Sequence, residues 1–344
     1  MKISIDAMGG DYAPEVVVEG SKAALELNPK IEKLFLVGDE AKVKPLVDLY
    51  QLPVDRIELV HASQVVEMNE SGAKALRKKK DSSILRAIEL VKSGDADGIV
   101  GAGNTGAAVA TATVKLRLIP GVERAGIASP LPNDHGPLNL MDAGANPEAK
   151  PAHLLQYAVM GSVFSKYVFG SKSPVVGLMS NGEEDEKGTA FTKETFALLK
   201  EYEASGKMPF DFAGNIEGHD LFKTKIDVAL CDGFVGNIIL KSCEATAKAM
   251  SSLLKEQLKA SPVRMAGALL AKGAFNHLKE RMSYESYGGS PLLGVNGVVI
   301  IAHGGSSALA IQNALRMAAE TVEARVNPQI EEAIAAMPAL GVSS

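Results

Sequence analysis

The sequence predicts an α/β fold: a mostly parallel sheet flanked by helices. Three observations carry this. Short runs rich in Val, Ile and Leu recur without strict polar alternation, as strands buried on both faces require. Helical stretches separate most of them, and strand–helix alternation builds a parallel sheet. Most runs also end in a Gly, Asp or Asn turn: "DAMGGD", "VGDE", "GAGNTG", "DAGAN", "SNGEEDEKG", "CDGFVGN" and "AHGGSS". In a parallel sheet the carboxyl ends share one edge, where α/β folds bind ligands. Taken singly, each turn also suits a helix cap.

In chain order, "KISID" is the first strand and 14–27 the first helix. "KLFLVG" leads into a helix over 40–49, then "RIELV" into one over 82–92. "DGIVG" precedes a helix over 105–118, and "AGIAS" and "LNLMDAG" precede one over 152–169. "VVGLMS" is followed by 193–204, "KIDVALC" by a long helix over 237–259, and "GVVIIAHGG" by 306–326. The apolar face of 237–259 includes Ile238, Ile239, Met250, Leu253 and Leu254. With 344 residues, 1–326 is expected to form one α/β unit, or two intertwined lobes. A helical hairpin spans 237–285, and 327–344 is a tail without a motif.

Composition narrows the function. The net charge of −5 argues against nucleic acid as a partner. Two cysteines suit a reducing cytosol, and Asp6 interrupts the first apolar run too early for a signal peptide. No run reaches the roughly 18–20 apolar residues of a membrane span. The expected location is therefore the cytoplasm.

Gly101, Gly103 and Gly106 spell G-x-G-x-x-G between a strand and a helix. A dinucleotide fingerprint needs an acid about 20 residues on, at the end of the next strand. Glu123 precedes that strand and Asp134 follows it, beyond Pro130 and Pro132. No Walker lysine follows either. What survives is an anion cradle: glycines allow close approach, and Asn104 and Thr105 start a helix whose free N–H groups suit a phosphate.

"MKISIDAMGGDYAPE", "KKKDSS", "GAGNTGA", "SNGEEDEKG" and "CDGFVGN", in that order, resemble the PlsX family, the acyl-acyl-carrier-protein:phosphate acyltransferases of bacterial phospholipid synthesis. The likeness runs from Met1 to about Val326. It implies a fold like those of isocitrate and isopropylmalate dehydrogenases and phosphate acetyltransferases. It implies transfer of a long acyl chain from acyl-carrier protein to inorganic phosphate, a homodimer, and peripheral association with membrane.

For that reaction the nucleophile is phosphate itself, and no G-x-S-x-G elbow is present. Cys231 and Cys243 read as core. Phosphate binding falls to Gly101, Gly103, Asn104, Thr105 and Gly106, assisted by Lys79 and Lys80, with Ser82 and Ser83 as caps. Turn amides near Asn181–Gly182 or Gly304–Gly305, with the Asn237 side chain, are candidate oxyanion donors. Lys187, amid Glu183, Glu184, Asp185 and Glu186, is the electrostatic catalyst; those acids hold it charged. His303 ends a strand and is the best proton carrier, ahead of His135 and His219. Four acids in a row splay apart, so neither a metal nor another cofactor is expected. Residues 255–285 carry a net charge of +3. There Arg264, Met265, Leu269, Leu270, Lys272, Lys279 and Arg281 are candidate contacts for anionic membrane or acidic carrier protein. The alternatives are a phosphate acetyltransferase-like enzyme using acyl-coenzyme A, an NAD-dependent decarboxylating dehydrogenase, and a membrane-bound scaffold.

Overall fold

In the computed structural model, which describes residues 1–282 and 284–338, with side chains for all but 278–282 and 284, eleven strands form one sheet. The first lobe begins with β1 (Lys2–Asp6), α1 (Glu15–Leu27), β2 (Lys33–Gly38), α2 (Glu40–Tyr50) and β3 (Ile57–His61). α3 (Gly72–Lys78), α4 (Ser83–Ser93), β4 (Gly98–Gly101) and α5 (Thr105–Leu116) follow. The chain crosses through β5 (Gly126–Asn133) into β6 (Gly136–Met141), α6 (Pro151–Tyr167), β7 (Val175–Met179), α7 (Ala190–Ala204), β8 (Asp211–Ile216), α8 (Asp220–Lys223) and β9 (Val228–Leu230). Three successive helices come next: α9 (Gly233–Lys259), α10 (Pro262–Leu270) and α11 (Lys272–Met282). β10 (Ser290–Leu293) and β11 (Val298–Ile301) return to the first lobe, and α12 (Ala308–Glu323) and α13 (Val326–Ala335) complete the fold.

The spatial order is β3-β2-β1-β4-β11-β10-β5-β6-β9-β7-β8. β3, β2, β1, β4 and β11 are mutually parallel, as are β6, β9, β7 and β8. β10 is antiparallel to both β11 and β5, and β5 to β6, so the two parallel groups point in opposite directions. The register then decides where their carboxyl ends lie. Pro291 faces Ile300 of β11, the next residue Leu292 faces Ile127, and Ala128 faces Met141. The last residue of β6 is therefore level with the end of β11. The carboxyl ends of both groups look into one central cleft, the topological switch point where α/β sheets take ligands.

The sequence reading misses β8 and β10 and stops β5 early. β8, "DFAGNI", is an edge strand with Gly214 at φ +86° beside a register shift. β10 is four residues long and contains Pro291. β5 continues through Pro130 and Pro132, which is tolerated because β10 pairs only with Gly126 and Ile127, leaving one edge of β5 beyond them unpaired by β10. The stretch beyond residue 326 begins with α13, whose Val326, Ile330 and Ile334 are buried. α6 is buried nearly all round, with Tyr157 and Phe164 fully enclosed.

α9 is the opposite case. Of its 27 residues only Gly233 and Gly236 are buried, and α10 buries none. Leu269 and Leu270 are 73% and 90% exposed. No helix among the described residues is long and apolar enough to cross a membrane.

Candidate active site

Three strand-end turns of the first lobe converge. A Cβ on Gly9 would stand 2.8 Å from the Gly103 nitrogen, and one on Gly10 2.9 Å from the Gly304 carbonyl oxygen. Only glycine allows this approach, and Gly10 also has φ +106°. Asp11 N–H donates to Gly304 O at 2.8 Å, locking the first turn to the third. Beneath them lies Asp6, 4% exposed, whose carboxylate accepts the Met8 N–H at 3.0 Å. Burial pushes its carboxyl above the usual range, against the pull of the Ser83 hydroxyl and the Met8 and Gly9 amides.

The Asn104 side chain is consumed locally. Its Oδ1 accepts Ala107 N–H at 2.9 Å, and its Nδ2 donates to the carbonyls of Glu67, Met68 and Glu70 at 3.0, 3.1 and 2.7 Å. It thereby pins the segment before α3 over the turn. The N–H groups of Thr105 and Gly106, in the first turn of α5, donate to no acceptor among the described residues, and both residues are exposed. Lys79 reaches Val65 O at 2.5 Å and Glu70 Oε2 at 2.7 Å, and this pair holds the Glu70 carboxyl below its usual range. Lys80 turns away and donates to Leu76 O at 3.0 Å.

A fourth turn, 142–146, approaches from β6. Asp142 is fully buried and accepts N–H bonds from Ile127, Gly144, Ala145 and Asn146 at 2.7–3.1 Å. Asn146 donates to the Tyr157 hydroxyl at 2.7 Å and to Ala125 O at 2.5 Å. α9 starts against this turn: a Cβ on Gly236 would fall 1.9 Å from Asp142 O, and Gly144 lies beside Asn237. Asn237, Lys241, Glu244 and Lys248 follow at helical spacing, so α9 carries one polar stripe from the fourth turn toward the third. At its far end Glu244 stands 3.8 Å from His303 Nε2 and pairs with Lys241 at 2.9 Å. Gly305 N–H donates to His303 Nδ1 at 3.0 Å, so neutral His303 carries its proton on Nε2, toward Glu244. Burial, with Lys241 and Lys248 adding to it, holds its proton affinity below that of a free histidine.

Lys187 and Asn181 lie on the exposed turn after β7. β7 is six strand positions from β4, in the other parallel group, so its turn faces the cleft from the opposite wall. One chain thus groups Gly101, Gly103, Asn104, Thr105 and Gly106 with His303 and, through α9, Asn237, and puts Lys187 and Asn181 in the other lobe. Near them, Glu183, His219 and Asp220 bring possible metal-ligand atoms within 4.8 Å of one another. Asp220 already accepts from Glu217 N–H and the Thr224 hydroxyl. His135 bonds Lys223 O at 3.2 Å, away from the turns. Cys231 is buried, and burial raises its thiol well above the usual value, the state of an inert core cysteine. Arg264, Met265, Leu269, Leu270 and Lys272 are on or beside α10, and the side chains of Lys279 and Arg281 lie outside the described residues.

Sequence reasoning misses Asp6 and Asp142, although both sit in a readable pattern, a strand-ending Asp-Ala before glycine. It also misses Lys241 and Glu244, readable only as the helical continuation of Asn237.

A family model described as "Fatty acid synthesis protein" matches residues 1–329. The chain is 61% identical over 335 residues to the phosphate acyltransferase of Akkermansia muciniphila, covering 97% of this chain and 96% of that protein. It is 46% identical over 344 residues to that of Pelotomaculum thermopropionicum, covering 99% and 97%. Among solved structures, a phosphotransacetylase from Streptococcus pyogenes superposes with a TM-score of 0.59 at 17% identity, over 94% of both chains. 4-Hydroxythreonine-4-phosphate dehydrogenase from Klebsiella pneumoniae gives 0.50 at 15%, covering 92% and 98%. At such identities the likeness is one of fold.

Proposed function

This chain belongs to the phosphate acyltransferase family, and we propose that its three converging turns hold the phosphate that attacks an acyl thioester. It is an acyltransferase that moves an acyl group to phosphate for phospholipid synthesis. The observation that carries the assignment of the site is the pair of exposed, unengaged N–H groups of Thr105 and Gly106 at the start of α5. A helix N-terminus framed by glycine turns binds a dianion without a nucleoside. Orthophosphate fits there with its oxygens on the amides, and Asn104 serves as scaffold.

A phosphate oxygen forms the new bond to the thioester carbonyl carbon. The tetrahedral oxyanion then collapses and the C–S bond breaks, its electron pair leaving on sulfur. His303 Nε2–H donates a hydrogen bond to the sulfur as it leaves, Glu244 orients the ring, and the thiolate takes its proton from water. The Gly304 amide and the Asn237 side chain serve the oxyanion, where one donor is worth about 3 kcal/mol. Lys187 does electrostatic work from the opposite wall of the cleft. The thioester is that of acyl-carrier protein, and no cofactor is needed.

The fold reading is of the isocitrate and isopropylmalate dehydrogenase kind, with 237–285 as a protruding hairpin. Its exposed apolar residues and the net +3 of 255–285 support a homodimer contact along α9 and, at α10, contact from the cytoplasm with anionic lipid at the inner face of the cell membrane or with the acidic carrier. The phosphotransacetylase likeness favours a second reading, in which acyl-coenzyme A is the donor. Purified protein, phosphate and long-chain acyl-carrier protein, with hydroxylamine trapping of acyl phosphate, test the first. Acyl-coenzyme A supporting equal or faster trapping would favour the second.

A further inference from the structure

α3 and α5 leave a groove between them that the chemistry above does not use. Its cavity measures about 540 Å³, within the usual range for a small-molecule site. Leu76 on α3, and Val109, Ala110 and Val114 on the facing side of α5, give it apolar walls, and Leu118 closes one end. Ala145 and Asn146 of the fourth turn form part of its floor, so it adjoins the turn that supports α9. Val109 is one helical turn beyond Thr105, which puts the near end of the groove beside the phosphate turn.

The charge of the groove is one-sided. Arg77, Lys80 and Arg124 line it, and no Asp or Glu does. Arg77 and Arg124 have no carboxylate partner among the described residues. Lys80 bonds only the carbonyl of its own preceding turn. By contrast Lys79 and Lys115, neighbours on the same two segments, are paired with Glu70 and Glu89. Three uncompensated cations around an apolar trough complement a ligand with a hydrocarbon body and an anionic head.

The geometry points to this groove as the seat of the long-chain acyl phosphate, its alkyl chain along α5 and its phosphate on Arg77, Lys80 and Arg124. The inference rests on the reading of the protein as a phosphate acyltransferase and adds the position of the acyl chain. A groove beside the reacting turn lets the product move a short way and stay sheltered from water while the thiol leaves.

The test uses n-alkylphosphonates from butyl to decyl, stable stand-ins for acyl phosphate, titrated calorimetrically into the full-length chain. Affinity is expected to rise with each added methylene, toward about fourfold per methylene at full burial. Ala110→Trp, which fills the trough, and Val114→Glu, at an exposed position that leaves folding intact, should both flatten this dependence. Arg77→Ala with Arg124→Ala should weaken every member by at least tenfold and keep the increment per methylene. Val54→Glu, on the exposed loop before β3, should change nothing. No chain-length dependence in the parent, an increment that survives Ala110→Trp and Val114→Glu, or one lost only in Val54→Glu would overturn the assignment. So would 4′-phosphopantetheine displacing decylphosphonate far better than inorganic phosphate does, which would make the groove a donor-arm site. Hydroxylamine trapping with the unaltered protein is scored separately: acyl phosphate formed there with a failed titration discards the groove alone.

Discussion

Asp142 holds its turn by accepting N–H groups from four residues, and it has no cationic partner among the described residues. Each buried donor left without an acceptor costs about 1–3 kcal/mol. Asp142→Ala should therefore lower stability by at least about 3 kcal/mol in urea unfolding, and Asp142→Asn, which keeps one oxygen, by less. An unchanged midpoint for the alanine variant would show that the turn is held otherwise. His303 gives a pH dependence with a definite sign. Its proton affinity lies below that of free histidine, because of burial and then Lys241, with Lys248 adding to them and Glu244 and Asp11 opposing. Between the folded pKa and about 6.5 the unfolded chain binds the proton more readily, so this group's contribution to stability falls as pH drops through that window. Protonation at Nδ1 would set it against the Gly305 N–H and loosen the Gly304–Gly305 turn. The acid limb of turnover should lie below pH 6.5, and Lys241→Ala, which removes a like charge and frees Glu244, should move it upward. A pH–rate profile checks both; a downward shift would remove His303 from the site.

At the scale of elements, close packing through glycine makes sharp expectations. A Cβ on Gly72 would lie 2.3 Å from the Gly106 carbonyl, so α3 rides directly on the first turn of α5. Gly72→Ala must push the two apart. It should cost about 1–3 kcal/mol and weaken phosphate binding by calorimetry; unchanged binding would mean the turn tolerates the shift. α10 behaves oppositely. Leu269→Glu and Leu270→Glu sit on open surface, so melting should stay within about 0.5 kcal/mol of the parent while liposome flotation is lost. The strands that carry the site were legible because "KISID", "DGIVG" and "GVVIIAHGG" are buried on both faces and show it in composition. β8 and β10 were not, because an edge strand with Gly214 and a four-residue strand with Pro291 carry too little apolar signal. The glycine turn could be read from local spacing. Arg77 and Arg124 could not, since their common groove joins segments separated by nearly fifty positions and no local pattern marks it.

On the scale of the molecule, oppositely directed parallel groups turn their carboxyl ends to one cleft, and the antiparallel β10 and β5 set the offset that makes this possible. The phosphate turn and the Lys187 turn thereby belong to different lobes. Lys187 is exposed, so Lys187→Ala should melt as the parent does while hydroxylamine-trapped turnover falls by at least tenfold. Full turnover would leave Lys187 as a surface residue. The central claim is that orthophosphate sits on the first turn of α5. A crystal structure of the full chain soaked in phosphate tests it most directly. The account expects a tetrahedral ion within hydrogen-bond distance of the Thr105 and Gly106 N–H groups, with the Asn104 side chain still bonded to Glu67, Met68 and Glu70. An empty turn, with the ion bound at Arg77 and Arg124 or beside Lys187, would contradict it.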